Sequence, residues 1–156
     1  MEIKLKLFEV AMSQERAGFI PYVYENGVPL YYFMTPSDAK FGGDQPSLAK
    51  GRVDDGETVK QAAVREAEEE LGLKRSNIKH ETIQLAWKGK IRGQKESYTM
   101  VIYMGEVKDK EDFNAHDHET GSTHWLTVKE FAKQGRESQV KIVKAAERLL
   151  SDKSVI

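Results

Sequence analysis

Between Gly51 and Leu73 the chain reads GRVDDGETVKQAAVREAEEELGL, which sets Glu66, Glu69 and Glu70 close together. Wound into an α-helix, these three fall within an arc of about 100°. Like charges one turn apart cost a few tenths of a kcal/mol each, and a hard dication among them would relieve that repulsion. Mg²⁺ and Mn²⁺ take oxygen ligands, and Mg²⁺ keeps several waters while binding substrate phosphates. The chemistry on offer is therefore metal-assisted reaction at a phosphate. The plain alternative is a solvated acidic face, the common fate of glutamate runs on helices.

Local signals delimit the helix that must carry these groups. Thr58 with Gln61 forms a capping-box pattern, so the helix begins there and runs to about Leu71. Gly72 stands just past the last turn, where a left-handed cap favours glycine. Val64, Ala67 and Leu71 gather on another side and face the core, Arg65 is expected to point away from the glutamates and pair with Glu57, and Glu68 is expected at the surface.

Around this helix the chain reads as a mixed sheet flanked by helices. Ile3, Leu5 and Leu7 alternate as in a strand, and a polar break from Ser13 to Arg16 follows. Ala17–Tyr24 and Val28–Met34 are β-prone runs joined by Asn26-Gly27, a strong hairpin signal. Thr35–Lys50, rich in Pro, Gly, Asp and Ser, reads as a long loop of the kind that is functional or disordered. Strands are expected at Thr82–Trp87 and Tyr98–Val107, separated by the basic segment Lys88–Lys95. A polar loop from Lys108 to Gly121, a strand at Thr123–Leu126 and helices at Val128–Gln134 and Ser138–Leu150 complete the order. The fold class is α/β (α+β), one domain over residues 1–156, with residues 1–16 as an extra N-terminal strand and linker.

Composition narrows the function classes. A chain of 156 residues with 39% hydrophobic content can bury one core of its own. It has no Cys, which excludes disulfides, thiolate zinc sites and cysteine nucleophiles. The net charge of −1 gives no global attraction to nucleic acid or membrane. No segment looks like a signal peptide or a membrane span, and the expected compartment is the cytoplasm.

The full spacing is Gly51-x5-Glu57-x7-Arg65-Glu66-Ala67-x-Glu69-Glu70-x-Gly72-Leu73. This resembles the signature of the Nudix hydrolase family, with every fixed position matched. The resemblance implies an α/β/α sandwich with a mixed sheet and a loop–helix–loop motif at residues 51–73. It implies a hydrolase that cuts a diphosphate linkage in a nucleoside diphosphate derivative with Mg²⁺ or Mn²⁺. Carried over residue by residue, Glu66, Glu69 and Glu70 are metal ligands, joined by the backbone carbonyl of Lys50. Glu69 or Glu66 also orients or deprotonates the water, and Gly51, Glu57, Arg65 and Gly72 support the loop geometry. Members often add a carboxylate from a late loop, and Glu119, six residues before Trp125, resembles it as a further ligand or base.

Ala49-Lys50-Gly51 followed by Arg52-Val-Asp-Asp-Gly-Glu57 resembles the opening of diadenosine tetraphosphate hydrolases and diphosphoinositol polyphosphate hydrolases. The size and the Glu119–Trp125 spacing fit the former, although Ala49 stands where Pro is usual and Pro46 where an aromatic is common. The implied lean is to dinucleoside polyphosphates. The alternatives are nucleoside triphosphates, ADP-ribose or another nucleotide sugar, and an RNA 5′ end. Otherwise the near-neutral charge argues against nucleic acid. Lys50, Arg52, Lys88, Lys90, Arg92 and Tyr98 are candidates to meet phosphates and a base. Phe41, Tyr31 and Tyr32 could grip a base, core packing being the plainer role for the tyrosines, as for Trp125. His116, His118 and His124 match no zinc spacing. Two other classes stay open: a non-catalytic nucleotide-binding sensor, and an interaction domain with an acidic helix. A monomer or homodimer is expected.

Overall fold

The structure, a computed structural model, describes residues 15–38, 44–80, 82–92 and 97–154. Its strands are β1 (Glu15–Glu25), β2 (Val28–Pro36), β3 (Ala49–Arg52), β4 (Ile83–Arg92), β5 (Ser97–Glu106) and β6 (Thr120–Leu126). Its helices are α1 (Val59–Leu71), α2 (Val128–Gln134) and α3 (Val140–Ser154). The sheet runs β4-β5-β1-β2-β6, with β3 paired to β1 off that path. Strands β1 and β5 are parallel and the other pairs antiparallel, so the sheet is mixed.

Strand β1 explains itself by burial on both faces. Ala17 and Phe19 point into one core with Ala62, Ala63, Ala67 and Leu71 of α1. Ile20 and Tyr22 point into the other, with Phe131 of α2 and Ile142, Val143, Ala146 and Leu150 of α3. A central strand between two helical layers needs apolar residues at both parities, hence the run AGFIPY. Small side chains on α1 (Ala62, Ala63 and Ala67, all fully buried) let the helix lie close to the sheet. The α/β/α sandwich expected from the resemblance is thus present.

One edge of β1 is shared. Arg16–Phe19 pair with β3, and Tyr22–Glu25 pair with β2. Strand β2 therefore diverges from β1 as it continues toward β6, and the fork opens a cleft between β3 and the far end of β2. A bridge between Met34 and Ser47, with N···O distances of 2.9 and 2.8 Å in the two directions, closes the fork on one side.

Several sequence boundaries shift. Arg16 lies inside β1 rather than in a linker, because the parallel pairing with β5 begins at Glu15. The expected loop Thr35–Lys50 is shorter, since β2 reaches Pro36 and Ala49–Lys50 pair with β1. Strand β4 extends to Arg92, so Lys88, Lys90 and Arg92 are strand residues, held in register against β5. β6 begins at Thr120, and α3 begins at Val140 after a tight turn over Glu137–Gln139. The Asn26-Gly27 turn is as expected, both residues at positive φ. The N-terminal strand (Ile3, Leu5, Leu7) and Phe41 lie outside the described residues. Among the described residues no helix is long and apolar enough to cross a membrane.

Candidate active site

Helix α1 has both expected caps. Thr58 Oγ accepts from the Gln61 amide, and Gln61 Oε1 accepts from the Thr58 amide at 2.9 Å. Gly72 is left-handed (φ 74°), and a side chain there would also collide with the backbone of Asn114. The caps fix the helix in register against β3, and that register aims the glutamates. Glu66 packs against Gly51 so closely that any β-carbon at 51 would occupy the space of its carboxylate. Glu70 Oε1 accepts from the backbone amide of Lys50 at 2.9 Å. Glu69 stays exposed one turn from Arg65.

Arg65 ties the preceding loop to the helix. Its Nε and Nη2 donate to the two oxygens of Glu57 at 2.7 and 3.0 Å, and Nη2 also donates to the Arg52 carbonyl at 3.0 Å. It does not point away from the glutamate face as the helical projection suggested. Its Nη1 reaches Glu66 Oε1 at 2.9 Å and Glu69 at 3.4 Å. The guanidinium is long enough to span Glu57 and the carboxylate face together, which a wheel of α-carbons cannot display.

The late loop locks onto the other end of α1. Backbone amides of Asn114 and Asp117 donate to the carbonyls of Gly72 and Glu69 at 2.7 and 2.8 Å. Thr120 Oγ1 donates to the Glu70 carbonyl at 2.8 Å. Carbonyls at a helix C-terminus lack partners within the helix, and this loop supplies them. In doing so it brings Glu119 to the mouth of the cleft in the fork of β1 and β2. Ser37 secures the same loop, its amide on the Glu119 carbonyl and its hydroxyl on the His118 carbonyl.

The cleft has a volume of about 540 Å³, within the range of small-molecule sites. Glu70 and Glu119 line it together with the cations Arg16, Lys50 and Arg136. Glu66, Glu69 and Arg52 lie outside that lining, at its helix-side rim or beyond. Burial lifts the Glu66 carboxyl to about 7 against the pull of Arg65, with Glu69 and Glu119 adding repulsion. Burial also lifts Glu70 to about 8, against the Lys50 amide and with Glu66 and Asp117 adding to the rise. Lys50 is pulled below the ordinary lysine range, first by burial and then by Arg136.

Glu66 and Glu70 are hard oxygen donors whose burial disfavours the charged form, and a divalent cation would offset that cost. As the side chains stand, no three His, Asp or Glu among the described residues close on one point. Carboxylates of this kind suit an ion that also takes waters and substrate oxygens, as Mg²⁺ prefers. His124 Nε2 lies 2.8 Å from Thr35 Oγ1 and 3.1 Å from Ser122 Oγ, and among the described residues no cluster of three His, Asp or Glu includes it. Tyr31 is fully buried, while Tyr32 stacks on Trp125 at a centroid distance of 4.4 Å, so these aromatics serve packing. The side chains of Lys88, Lys90, Arg92 and Tyr98 lie outside the described residues. Arg16 and Arg136 were not legible as site residues, one standing at a polar break and the other between two helices. A solitary arginine ahead of an apolar strand was the only available signal.

A family model described as NUDIX domain matches residues 31–146. An RNA pyrophosphohydrolase of Wolbachia sp. subsp. Brugia malayi is 33% identical over 94 residues, covering 52% of this chain and 58% of that protein. A second, from Wolbachia pipientis wMel, is 35% identical over 74 residues, covering 40% of this chain and 46% of that protein. The chain thus spans about half the length of these curated relatives. Among solved structures, an Ap4A hydrolase binary complex from C. elegans superposes with a TM-score of 0.74 at 17% identity, over 88% of this chain and 98% of that one. The NUDIX domain of Shewanella oneidensis NrtR, complexed with ADP ribose, gives 0.70 at 13% identity, over 88% of both chains.

Proposed function

Because this chain belongs to the Nudix family, its motif glutamates lying on one helix beside a cation-lined cleft, we propose that it is a metal-dependent pyrophosphohydrolase. It cleaves a diphosphate linkage in a nucleoside diphosphate derivative, with a lean to dinucleoside polyphosphates. The observation that carries the reading is the pairing of Glu66 and Glu70 against β3 with Lys50 and Arg16 lining the adjoining cleft. Carboxylates to gather a dication beside cations to gather phosphate are what phosphoryl chemistry asks of a protein.

Glu66, Glu69, Glu70, Glu119 and the Lys50 carbonyl would hold Mg²⁺ or Mn²⁺. When bound, such an ion neutralises diphosphate charge and acidifies a coordinated water. The chain's own groups do the rest. Lys50 and Arg16 draw the phosphate oxygens into the cleft and offset the charge of the leaving phosphate. Glu69 or Glu66 accepts a proton from the water as its oxygen bonds to phosphorus and the bridging P–O bond breaks. Arg65 keeps the carboxylate face in place by bridging it to Glu57 and the Arg52 carbonyl.

A second reading, the triphosphorylated 5′ end of RNA, is supported by the likeness to the Wolbachia RNA pyrophosphohydrolases. Both readings are tested by product analysis with diadenosine tetraphosphate, nucleoside triphosphates, ADP-ribose and 5′-triphosphorylated RNA in Mg²⁺ or Mn²⁺. Turnover should appear with a divalent ion and vanish in Glu69→Gln and Glu70→Gln. Full activity in both variants would overturn the site. Predominant turnover of RNA would replace the lean to dinucleoside polyphosphates, and binding without turnover would make the chain a sensor.

A further inference from the structure

Besides Glu70, Glu119 and Asp38, the cleft is lined by three cations, Arg16, Lys50 and Arg136. Lys50 gives Glu70 a backbone hydrogen bond at one end of the segment 46–50, and Arg136 meets that segment at its other end, at Pro46. Arg136 comes from neither the motif nor the strands of the fork. It sits between α2 and α3, and hydrogen bonds from its own amide and from Gln139, three residues on, hold its turn in place. The Arg136 amide donates to the Pro46 carbonyl at 2.9 Å. Gln139, only 1% exposed, accepts from the Leu48 amide at 2.8 Å and donates to Ser47 Oγ at 3.0 Å. The turn carrying Arg136 is thus pinned to the segment that leads into β3, and the arginine's place is set relative to Lys50.

Resting on the pyrophosphohydrolase reading, we propose that Arg136 is a specificity-determining residue that binds a phosphate beyond the cleaved linkage. The cleft then favours linear chains of three or more phosphates over diphosphates flanked by sugars. A two-phosphate substrate fills the carboxylate rim and presents a neutral sugar hydroxyl to the region of Arg136. A longer chain presents an anionic phosphate there, which a guanidinium binds through paired N–H donors. Selectivity follows from that difference in charge at one end of the cleft, with the reacting end unchanged.

The test separates this proposal from the reading beneath it. Binding of inorganic tripolyphosphate and of pyrophosphate is measured by calorimetry with Mg²⁺, on the chain and on Arg136→Gln and Arg136→Lys. Arg136→Gln should weaken tripolyphosphate roughly ten- to hundredfold, the range for losing a charged hydrogen bond, and leave pyrophosphate nearly unchanged. Arg136→Lys should recover part of the loss. In parallel, kcat/KM for ATP and diadenosine tetraphosphate should fall in Arg136→Gln, through KM, while that for ADP-ribose holds. Equal losses for both probes, or none, would overturn the proposal. Absence of turnover with every nucleotide would overturn the pyrophosphohydrolase reading alone, since the two inorganic probes still report on Arg136.

Discussion

Thr120 donates its hydroxyl to the main-chain carbonyl of Glu70 at 2.8 Å, joining the last turn of α1 to the first residue of β6. The carboxylate of Glu70 meanwhile faces β3, so one residue is anchored on both sides: backbone to the late loop, side chain to Lys50. Glu119 precedes Thr120, and its place at the cleft follows from that anchor rather than from the sequence motif.

Removing the anchor should therefore be costly. Thr120 is 4% exposed, and Thr120→Val keeps its shape while leaving the Glu70 carbonyl without its donor. An unsatisfied buried acceptor costs about 1–3 kcal/mol, which corresponds to a drop of roughly 2–10 °C in Tm for a chain of this size. Thermal melting followed by circular dichroism checks it, and Thr120→Ser, which restores the hydroxyl, should recover most of the loss. A Tm of Thr120→Val equal to that of the parent would rule out the anchor.

Arg65 is the second test. It binds Glu57 through two parallel hydrogen bonds, a geometry that lysine cannot reproduce. Arg65→Lys should lower stability by about 1 kcal/mol, given the partial exposure of the pair, and lower kcat through loss of order in the Glu66 face. Arg65 and the Asp54 amide hold Glu57 below the usual carboxylate range. A depressed folded value means this stabilisation is present above the ordinary Glu range and lost as pH falls through the folded value. Denaturant titrations at neutral and strongly acid pH should thus show the gap between Arg65→Lys and the parent closing in acid. A gap that persists unchanged would mean Arg65 acts elsewhere.

The helix, its caps, the hairpin turn and the glutamate face were legible because each depends on residues a few positions apart. Thr58 with Gln61, Gly72 and Asn26-Gly27 all state local backbone geometry. The cleft was not legible, because it exists only where β2 leaves β1. Arg16, Lys50, Glu119 and Arg136 meet there from four separate stretches, and pairings such as Arg16 with Arg52 carry no local signature. The direction of Arg65 escapes a helical projection for a related reason: its partners are set by the loop from Arg52 to Glu57 folding back over the helix. Of these residues, Lys50 and Glu119 came from the family resemblance, while Arg16 and Arg136 needed the folded chain.

Gly51 offers a test of the rim that spares the charges. The Glu66 carboxylate occupies the space a β-carbon would need, and Gly51 is in β3 with ordinary extended backbone, so Gly51→Ala disturbs contact rather than conformation. Glu66 must swing off β3, taking one carboxylate from the set. Turnover should fall by roughly tenfold or more, as displacements of about an ångström at a reacting centre do, while a folded circular dichroism spectrum remains. Activity equal to the parent would show that Glu66 need not sit against β3.

The pH dependence of the carboxylate face gives the last test. Glu66 and Glu70 are raised to about 7 and about 8, burial being the first cause of each. A raised carboxyl binds more protons in the folded state than in the unfolded one, so stability without metal is fullest below the ordinary Glu range and declines as pH rises through the folded values. A divalent ion needs the ionised oxygens, so its binding releases protons and strengthens over the same interval. Between about pH 6 and pH 9, then, Tm in EDTA should fall while the increase in Tm on adding Mg²⁺ should grow. Glu70→Gln removes the group with the higher value, and should flatten the upper part of both curves. Parallel melting curves in EDTA and in Mg²⁺ across that range would detach these two carboxylates from the metal.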